Sequence, residues 1–331
     1  MAFLELHDLH VSFGTREGTV RAVNGVSLSL EAGRTIGLVG ESGSGKTVLA
    51  LTMLGLTRAE GTEISGQILL DGVDLVTLPS SELRTIRGRQ IGMVFQDPLS
   101  SLHPLNRVGW QITQALRAHE NVSKKAARAR AVELLRSVGI PSPEVRVDAY
   151  PHELSGGMRQ RVMIATALAL GPDLLIADEP TSALDVTVQS RILALLAQLQ
   201  RATGMTLLLV SHDLGVIAEH CDEVVVMYAG RIVERGTSGA VIDAPIHPYT
   251  RGLLGSTPHV EGPRLAALTP IPGSPPNAAQ LPPGCAFHPR CALARPSCGQ
   301  RVPVLSRVGP EHDVACPVTA PVGPAAIDPS P

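Results

Sequence analysis

No stretch of this 331-residue chain approaches the roughly 18–20 consecutive apolar residues that a membrane-spanning helix needs, so the chain is not expected to cross a bilayer by itself. Its first residues include Glu5 and Asp8 and lack an apolar core behind a basic segment, so no secretory signal is expected. Neither sign of charge dominates: 28 Lys and Arg stand against 30 Asp and Glu, a formal net charge of −2. That balance offers no basic footprint for nucleic acid. The local basic runs at 84–89 and 124–130 read as solvated helix faces. Cysteine is nearly absent ahead of the tail; of five, Cys221 alone precedes position 285, and it reads as a packed residue. These absences point to a cytoplasmic chain, at most peripheral to a membrane. A hydrophobic content of 44% leaves enough material for a sizeable core and more than one domain.

What the chain does have is organised around Gly40-Glu41-Ser42-Gly43-Ser44-Gly45-Lys46-Thr47, which fits G-x-x-x-x-G-K-[ST]. The apolar run 35–39 before it reads as a buried strand, and 48–54 after it as a packed helix. Glycines let the backbone wrap until successive N–H groups point inward, while the helix behind presents its positive end to a phosphate. Lys46 is then expected at the β- and γ-phosphates, and Thr47 is expected to offer its hydroxyl to Mg²⁺.

Ahead of this loop, 3–13, 19–23 and 26–30 alternate apolar with polar and are separated by Gly14, Gly18 and Gly25, which predicts antiparallel strands. Phe13 either stacks on an adenine ring or fills core. Residues 66–70 with the Asp71-Gly72 turn predict a hairpin, and 91–95 another strand, with Gln96 at its end. Gln96 is placed to reach a metal and an attacking water, or is an ordinary polar strand terminus. Positions 97–154 read as a helical subdomain containing one clear helix, with Ser123 as its N-cap and Gly139 and Pro141 as its stop.

The subdomain ends in Leu154-Ser155-Gly156-Gly157-Met158, a second anion-binding helix start ahead of the apolar helix 162–170. The run 174–177 predicts a strand buried on both faces that delivers Asp178 and Glu179 to its C-terminal edge. Adjacent carboxylates there need separate tasks: Asp178 in the Mg²⁺ shell, Glu179 as the base that orients and deprotonates water for in-line attack. Asp185 is expected to cap a helix over 186–203 that Gly204 stops. A further buried strand at 206–210 leads to Ser211 and His212, whose imidazole is expected at the same edge.

Taken in order, 40–47, Gln96, 154–158, 174–179, 182–185 and His212 resemble the motif set of ABC-type ATPases, over residues 3–256. Narrower likeness is carried by Phe95-Gln96-Asp97-Pro98-Leu99-Ser100-Ser101-Leu102, by 154–161, by 178–189 and by His247-Pro248-Tyr249-Thr250, which are similar to the ATPase subunits of bacterial oligopeptide/dipeptide importers. Met158 departs from the glutamine commoner in ABC ATPases, and His103 stands where the peptide branch often has Asn. The resemblance implies an α/β fold with an antiparallel β subdomain, a RecA-like parallel-sheet core and a helical subdomain. It implies ATP and Mg²⁺ bound between two facing cassettes, the phosphate loop of one (Gly40, Glu41, Ser42, Gly43, Ser44, Gly45, Lys46, Thr47) opposite Ser155, Gly156 and Gly157 of the other. Phe13, Gln96, Asp178 and Asp185 join the nucleotide site, with Glu179, His212, Gln96 and Lys46 in catalytic roles. The implied partners are a second ATPase subunit, two transmembrane permease subunits and an extracytoplasmic solute-binding protein, with no nucleic acid. The implied location is the cytoplasmic face of the cell membrane, and the cargo is peptide, a nickel complex or sugar being the alternative.

Residues 1–256 are therefore taken as the ATPase domain and 257–331 as a proline-rich connector followed by a cysteine-rich extension. Pro270, Pro272, Pro275, Pro276, Pro282 and Pro283 predict an extended connector without helices. Cys285, Cys291, Cys298 and Cys316 supply four thiols, enough for a [4Fe-4S] cluster or a tetrahedral Zn²⁺. The paired C-x2-C spacing common for zinc is lacking, and the resemblance of 284–291 to the tail of peptide-importer ATPases implies the iron–sulfur cluster. Two other classes compete with the transporter. A soluble ABC ATPase acting on nucleic acid or ribosomes calls for two cassettes or a long coiled coil between Gln96 and the Ser-Gly-Gly. A small-molecule kinase leaves 154–158 without purpose.

Overall fold

The computed structural model describes residues 2–16, 18–182, 184–256 and 270–319. The chain opens with β1 (Ala2–Thr15) and β2 (Gly18–Glu31), crosses to β3 (Thr35–Val39) and α1 (Lys46–Met53), and returns in β4 (Thr62–Leu70) and β5 (Val73–Asp74). After α2 (Ser80–Ile86) and β6 (Ile91–Val94) come α3 (Pro98–Ser101), α4 (Val108–His119), α5 (Lys124–Ser137), α6 (Pro143–Arg146) and α7 (Gly156–Ala167). Strands and helices then alternate through β7 (Leu174–Asp178), α8 (Val186–Thr203), β8 (Thr206–Ser211), α9 (Leu214–His220) and β9 (Glu223–Tyr228). The last elements are β10 (Arg231–Thr237), α10 (Ser238–Asp243), α11 (Pro248–Ser256), β11 (Ser306–Gly309) and β12 (His312–Val314).

Two sheets result. The antiparallel one runs β2-β1-β4-β5; the other runs β11-β12-β10-β9-β3-β8-β7-β6, parallel from β9 to β6 and antiparallel beyond β9. The parallel strands show why apolar runs without alternation form them. Ile36, Leu38, Leu174, Ile176, Leu208 and Val210 pack toward α1 and the antiparallel sheet, whereas Val39, Leu175, Ala177, Leu207 and Leu209 pack toward α7, α8 and α9. A strand buried on both faces has no polar side to present. Their C-terminal edge, where β3, β6, β7 and β8 all end, is where polar residues emerge.

The antiparallel sheet departs from expectation at Gly25. Rather than separating two strands, Gly25 (φ 76°) lies inside β2, level with Asp8 (φ 43°) in β1 and Gly66 (φ 88°) in β4. The pairing register shifts in β1 between His7 and His10 at this level. A β-carbon at Gly66 would lie 2.3 Å from the Asp8 carbonyl oxygen, so the bulge requires glycine there.

Between β6 and β7 the helical segment contains the expected α5, whose N-cap Ser123 accepts from the Ala126 N–H. It also contains α4, held by the buried face Val108, Ile112 and Leu116. The later caps follow the sequence closely: Asp185 accepts from the Val188 N–H, and α8 stops at Gly204 with φ 70°.

Of the expected connector, 257–269 lies outside the described residues, as do Ala183 and 320–331; its remainder, 270–283, forms no helix or strand. The tail then adds β11 and β12 to the edge of the main sheet, an addition that the sequence pattern did not suggest. An aromatic cluster fastens it: Phe287 packs 5.3 Å from both Tyr228 and Tyr249 and 5.9 Å from His247, centroid to centroid. Among the described residues no helix is long and apolar enough to cross a membrane.

Candidate functional site

The loop after β3 wraps as its glycines permit. Gly43 and Gly45 take φ of 80° and 101°, and a β-carbon on Gly45 would lie 2.2 Å from the Ala22 carbonyl oxygen. The Lys46 ammonium is drawn into the loop, donating to the carbonyls of Gly40 at 2.7 Å and Glu41 at 3.0 Å, with Ser44 Oγ at 3.4 Å. Burial pushes its pKa down, against the opposing pull of Glu179, Asp178 and Glu41. Lys46 is therefore a buried cation surrounded by acceptors and facing carboxylates.

Thr47, the next residue on α1, donates from Oγ1 to Asp178 Oδ1 at 3.2 Å. Burial raises the Asp178 pKa, the Thr47 hydrogen bond opposes that, and the neighbouring Glu179 adds to the rise. A hydroxyl and a buried carboxylate at this separation are hard oxygen donors of the kind Mg²⁺ prefers. Glu179 follows with φ 45°, a left-handed conformation unusual for a residue with a β-carbon, and its N–H donates to the Val210 carbonyl at 2.9 Å. That geometry turns its side chain toward two others: Gln96 Nε2 donates to Oε2 at 3.0 Å, and His212 Nδ1 lies 3.2 Å from Oε1. Three strand ends, of β6, β7 and β8, thus bring Gln96, Glu179 and His212 together.

These residues line a cleft of about 950 Å³ with Phe13, Val20 and Ala22 on one side, Glu41, Ser42, Gly43, Gly45, Lys46 and Thr47 at its floor, and Gln96, Glu179 and His212 opposite. Leu253, Pro275 and Ala278 complete the wall. The arrangement offers a polyphosphate-sized floor of backbone amides, an oxygen pair for a divalent cation and a carboxylate held by two side chains.

Four of the expected residues stand apart from this cleft. Ser155 accepts from the Met158 N–H at 3.3 Å and caps α7, and neither it nor Gly156 nor Gly157 lines this cleft. Asp185 is exposed, is engaged in capping α8 and also stays outside the cleft.

A second cavity, of about 860 Å³ and largely apolar, opens between the parallel sheet and the helical segment, lined among others by Leu54, Leu56, Phe95, Ser101, Ala118 and Met163. It shares Thr47 and Gln96 with the nucleotide-sized cleft.

Sequence reasoning left two contacts of Glu41 unseen. Its N–H donates to Tyr249 Oη at 2.7 Å, and its carboxylate meets Arg290 of the tail. Tyr249 is itself aligned by His247, which burial holds down at a pKa of about 3, so that its neutral Nδ1 accepts from the Tyr249 N–H at 3.0 Å.

Cys285, Cys291, Cys298 and Cys316 are free thiols gathered in the tail. Burial raises the pKa of Cys285 and of Cys291, and Cys316 and Cys298 add to both rises, so the four lie within electrostatic reach of one another. Among the described residues, however, no group of three or more His, Cys, Asp or Glu side chains is arranged to hold a metal ion. The fold gathers these thiols without setting them at ligand geometry, and the expected [4Fe-4S] cluster or zinc finds no formed cage. Cys221, the C-cap of α9, is a packed residue whose burial raises its pKa to about 12.

Comparison with known proteins places these features in a family. Residues 23–182 match the family model described as ABC transporter, and 233–298 match that described as oligopeptide/dipeptide transporter, C-terminal region. The chain is 50% identical over 312 residues to the oligopeptide transport ATP-binding protein OppD of Bacillus subtilis, covering 94% of this chain and 87% of that protein. It is 48% identical to OppD of Salmonella typhimurium, covering 95% and 92%. Among solved structures, the dimeric bacterial ABC transporter cassette MJ0796 aligns with a TM-score of 0.63 at 28% identity, over 71% of this chain and 98% of that one. The cbiO1 component of the cbiONQ transporter of Clostridium perfringens aligns with a TM-score of 0.62 at 29% identity, over 73% and 91%.

Proposed function

The chain belongs to the ATP-binding proteins of ABC transporters, in their oligopeptide transport branch, and on that premise we propose that it is the ATP-hydrolysing subunit that powers peptide import through a membrane transporter. The observation that carries this reading is the convergence of Lys46, Thr47 with Asp178, and Glu179 between Gln96 and His212 at one cleft, in a chain half identical to OppD.

In this reading Phe13 stacks on the base, and the amides of Gly43, Gly45, Lys46 and Thr47 with the Lys46 ammonium take the β- and γ-phosphates. Thr47, Asp178 and Gln96 hold Mg²⁺, which supplies charge neutralisation at the phosphates. Glu179 accepts the proton of the attacking water, and His212 and Gln96 fix the carboxylate's orientation. Ser155, Gly156 and Gly157, at the start of α7, serve the γ-phosphate bound by a second cassette, and their position outside this chain's own cleft favours that assignment. Asp185, at the cap of α8, belongs to the same interface.

We assign residues 1–256 to the ATPase domain, 97–154 within it to the helical subdomain, and 257–331 to the extension. The apolar groove exposes Phe95 and Leu56 and shares Gln96 with the catalytic cleft, so a permease segment seated there senses the γ-phosphate side of the site. Two permease subunits and an extracytoplasmic solute-binding protein complete the importer, and the chain works at the cytoplasmic membrane face. The test is ATPase activity of the chain co-expressed with its membrane partners in lipid, with short and long peptides. Several-fold stimulation by one peptide class is expected; a flat response from a hydrolysing complex points to a nickel complex or sugar as cargo. Recovery of the chain free of membranes points to a soluble ABC ATPase.

The finer reading of the tail is that its four thiols take a [4Fe-4S] cluster, or Zn²⁺, as a pin for a segment with little apolar surface of its own. Four thiols within electrostatic reach support it. Cys291→Ser is expected to remove both bound metal, measured on anaerobically purified protein, and the tail's resistance to protease. Retention of both refutes the pin.

A further inference from the structure

Arg290 reaches from the cysteine-bearing tail to the phosphate loop. It ends the turn His288–Arg290, immediately before Cys291. Its side chain is only 6% exposed, and its guanidinium forks onto the Glu41 carboxylate, Nη1 to Oε2 at 2.6 Å and Nη2 to Oε1 at 3.0 Å. Two further donors are placed: Nε donates to the Pro272 carbonyl at 2.8 Å and Nη1 to Tyr228 Oη at 3.3 Å. The rings of Tyr228 and Phe287 flank the cation, each centroid 5.9 Å away. A planar fork held on every side is a use of arginine that lysine does not reproduce.

The same tail walls the cleft. Pro275 and Ala278 line it, and the Ala278 carbonyl accepts from the Arg21 N–H on β2 at 3.2 Å. Glu41 itself lines the cleft floor, and its charge acts on the Lys46 ammonium. A carboxylate so placed opposes a polyphosphate unless a cation neutralises it, and the cation nearest to hand comes from the tail.

We propose that Arg290 is a positioning residue of the nucleotide site: by pairing with Glu41 it neutralises the phosphate loop's own carboxylate and holds the loop, so that the docked tail sets the affinity for ATP. The proposal rests on the ATPase reading. Because the pair acts on the loop in the ground and transition states alike, its loss should appear as weaker binding with little change in kcat.

The test measures the dissociation constant of a fluorescent ATP analogue and the steady-state kcat and KM of the full chain. Arg290→Ala is expected to weaken binding about tenfold, equivalent to about 1.4 kcal/mol, with kcat within about twofold. Arg290→Lys, which keeps the charge but loses the fork, should fall between wild type and Arg290→Ala. Adding Glu41→Gln to Arg290→Ala should restore affinity to within about threefold of wild type, because the uncompensated carboxylate is then gone. A merely structural arginine predicts the opposite, a double variant no tighter than the single. Should Arg290→Ala fail to fold, Arg290→Gln takes its place in the same series. Wild-type affinity in a folded Arg290→Ala chain, or failure of Glu41→Gln to rescue, overturns the proposal alone. A wild-type chain that binds no ATP overturns the ATPase reading and this proposal with it.

Discussion

Glu179→Gln is expected to leave ATP affinity within about threefold of wild type while slowing hydrolysis by ~10²–10⁴-fold, the range over which a positioned general base acts. The substitution is nearly isosteric and leaves untouched the groups that face the phosphates: Lys46 within the loop carbonyls and Thr47 on Asp178. What it removes is the carboxylate toward which Gln96 Nε2 and His212 Nδ1 both point, at 3.0 Å and 3.2 Å. The left-handed backbone at this residue, φ 45°, is strain retained where it aims a functional side chain. His212→Ala should cost less, because the imidazole acts on the carboxylate's orientation and not on the water itself. Phosphate release and nucleotide binding measured on the same preparations separate the two effects. Turnover within about tenfold of wild type in the Glu179→Gln chain would place the base elsewhere.

The division between what was and was not legible in the sequence follows the range of the interactions. Helix caps are local hydrogen bonds, so Ser123, Asp185 and Gly204 could be assigned by eye, and α8 begins and ends where they put it. The phosphate loop is a single turn whose glycines, lysine and threonine act within their own segment, and buried parallel strands declare themselves by uninterrupted apolar runs. Gly25 misled because a bulge is decided by partners across the sheet, Asp8 on one strand and Gly66 two strands away, which spacing along β2 does not report. The strands β11 and β12 are short and gain their place through the pairing of β12 with β10 and of β11 with β12. Arg290 and Glu41 are 249 positions apart, and nothing in the sequence near either residue specifies the other. Ser155 and Gly157 illustrate a different limit, since their expected ligand lies on another chain, and the single fold leaves them outside the lining of their own cleft.

Glu234→Ala should have the largest effect on the fold, a loss of about 3–5 kcal/mol, because each buried donor left without an acceptor costs about 1–3 kcal/mol. Glu234 is fully buried on β10 and is the acceptor for three donors: the N–H groups of Ile246 at 2.7 Å and His247 at 3.0 Å, and His312 Nε2 of β12 at 2.8 Å. Alanine orphans all three at once in a site without room for compensation by bulk water. Glu234→Gln keeps one acceptor oxygen and the volume, and so should cost distinctly less. The damage should also spread in a defined direction. His247 aligns Tyr249, Tyr249 Oη accepts the Glu41 N–H, and β12 is tied to β10 through His312, so loosening this node frees both the tail strand and one support of the phosphate loop. Chemical denaturation reports the stability loss, and limited proteolysis with nucleotide present and absent reports its location. Early cleavage confined to the tail, with protection partly restored by ATP, is the expected pattern. A Glu234→Ala chain as stable as wild type would mean that water or a shifted backbone satisfies the three donors, and that the tail is held chiefly by the aromatic packing of Phe287 against Tyr228 and Tyr249.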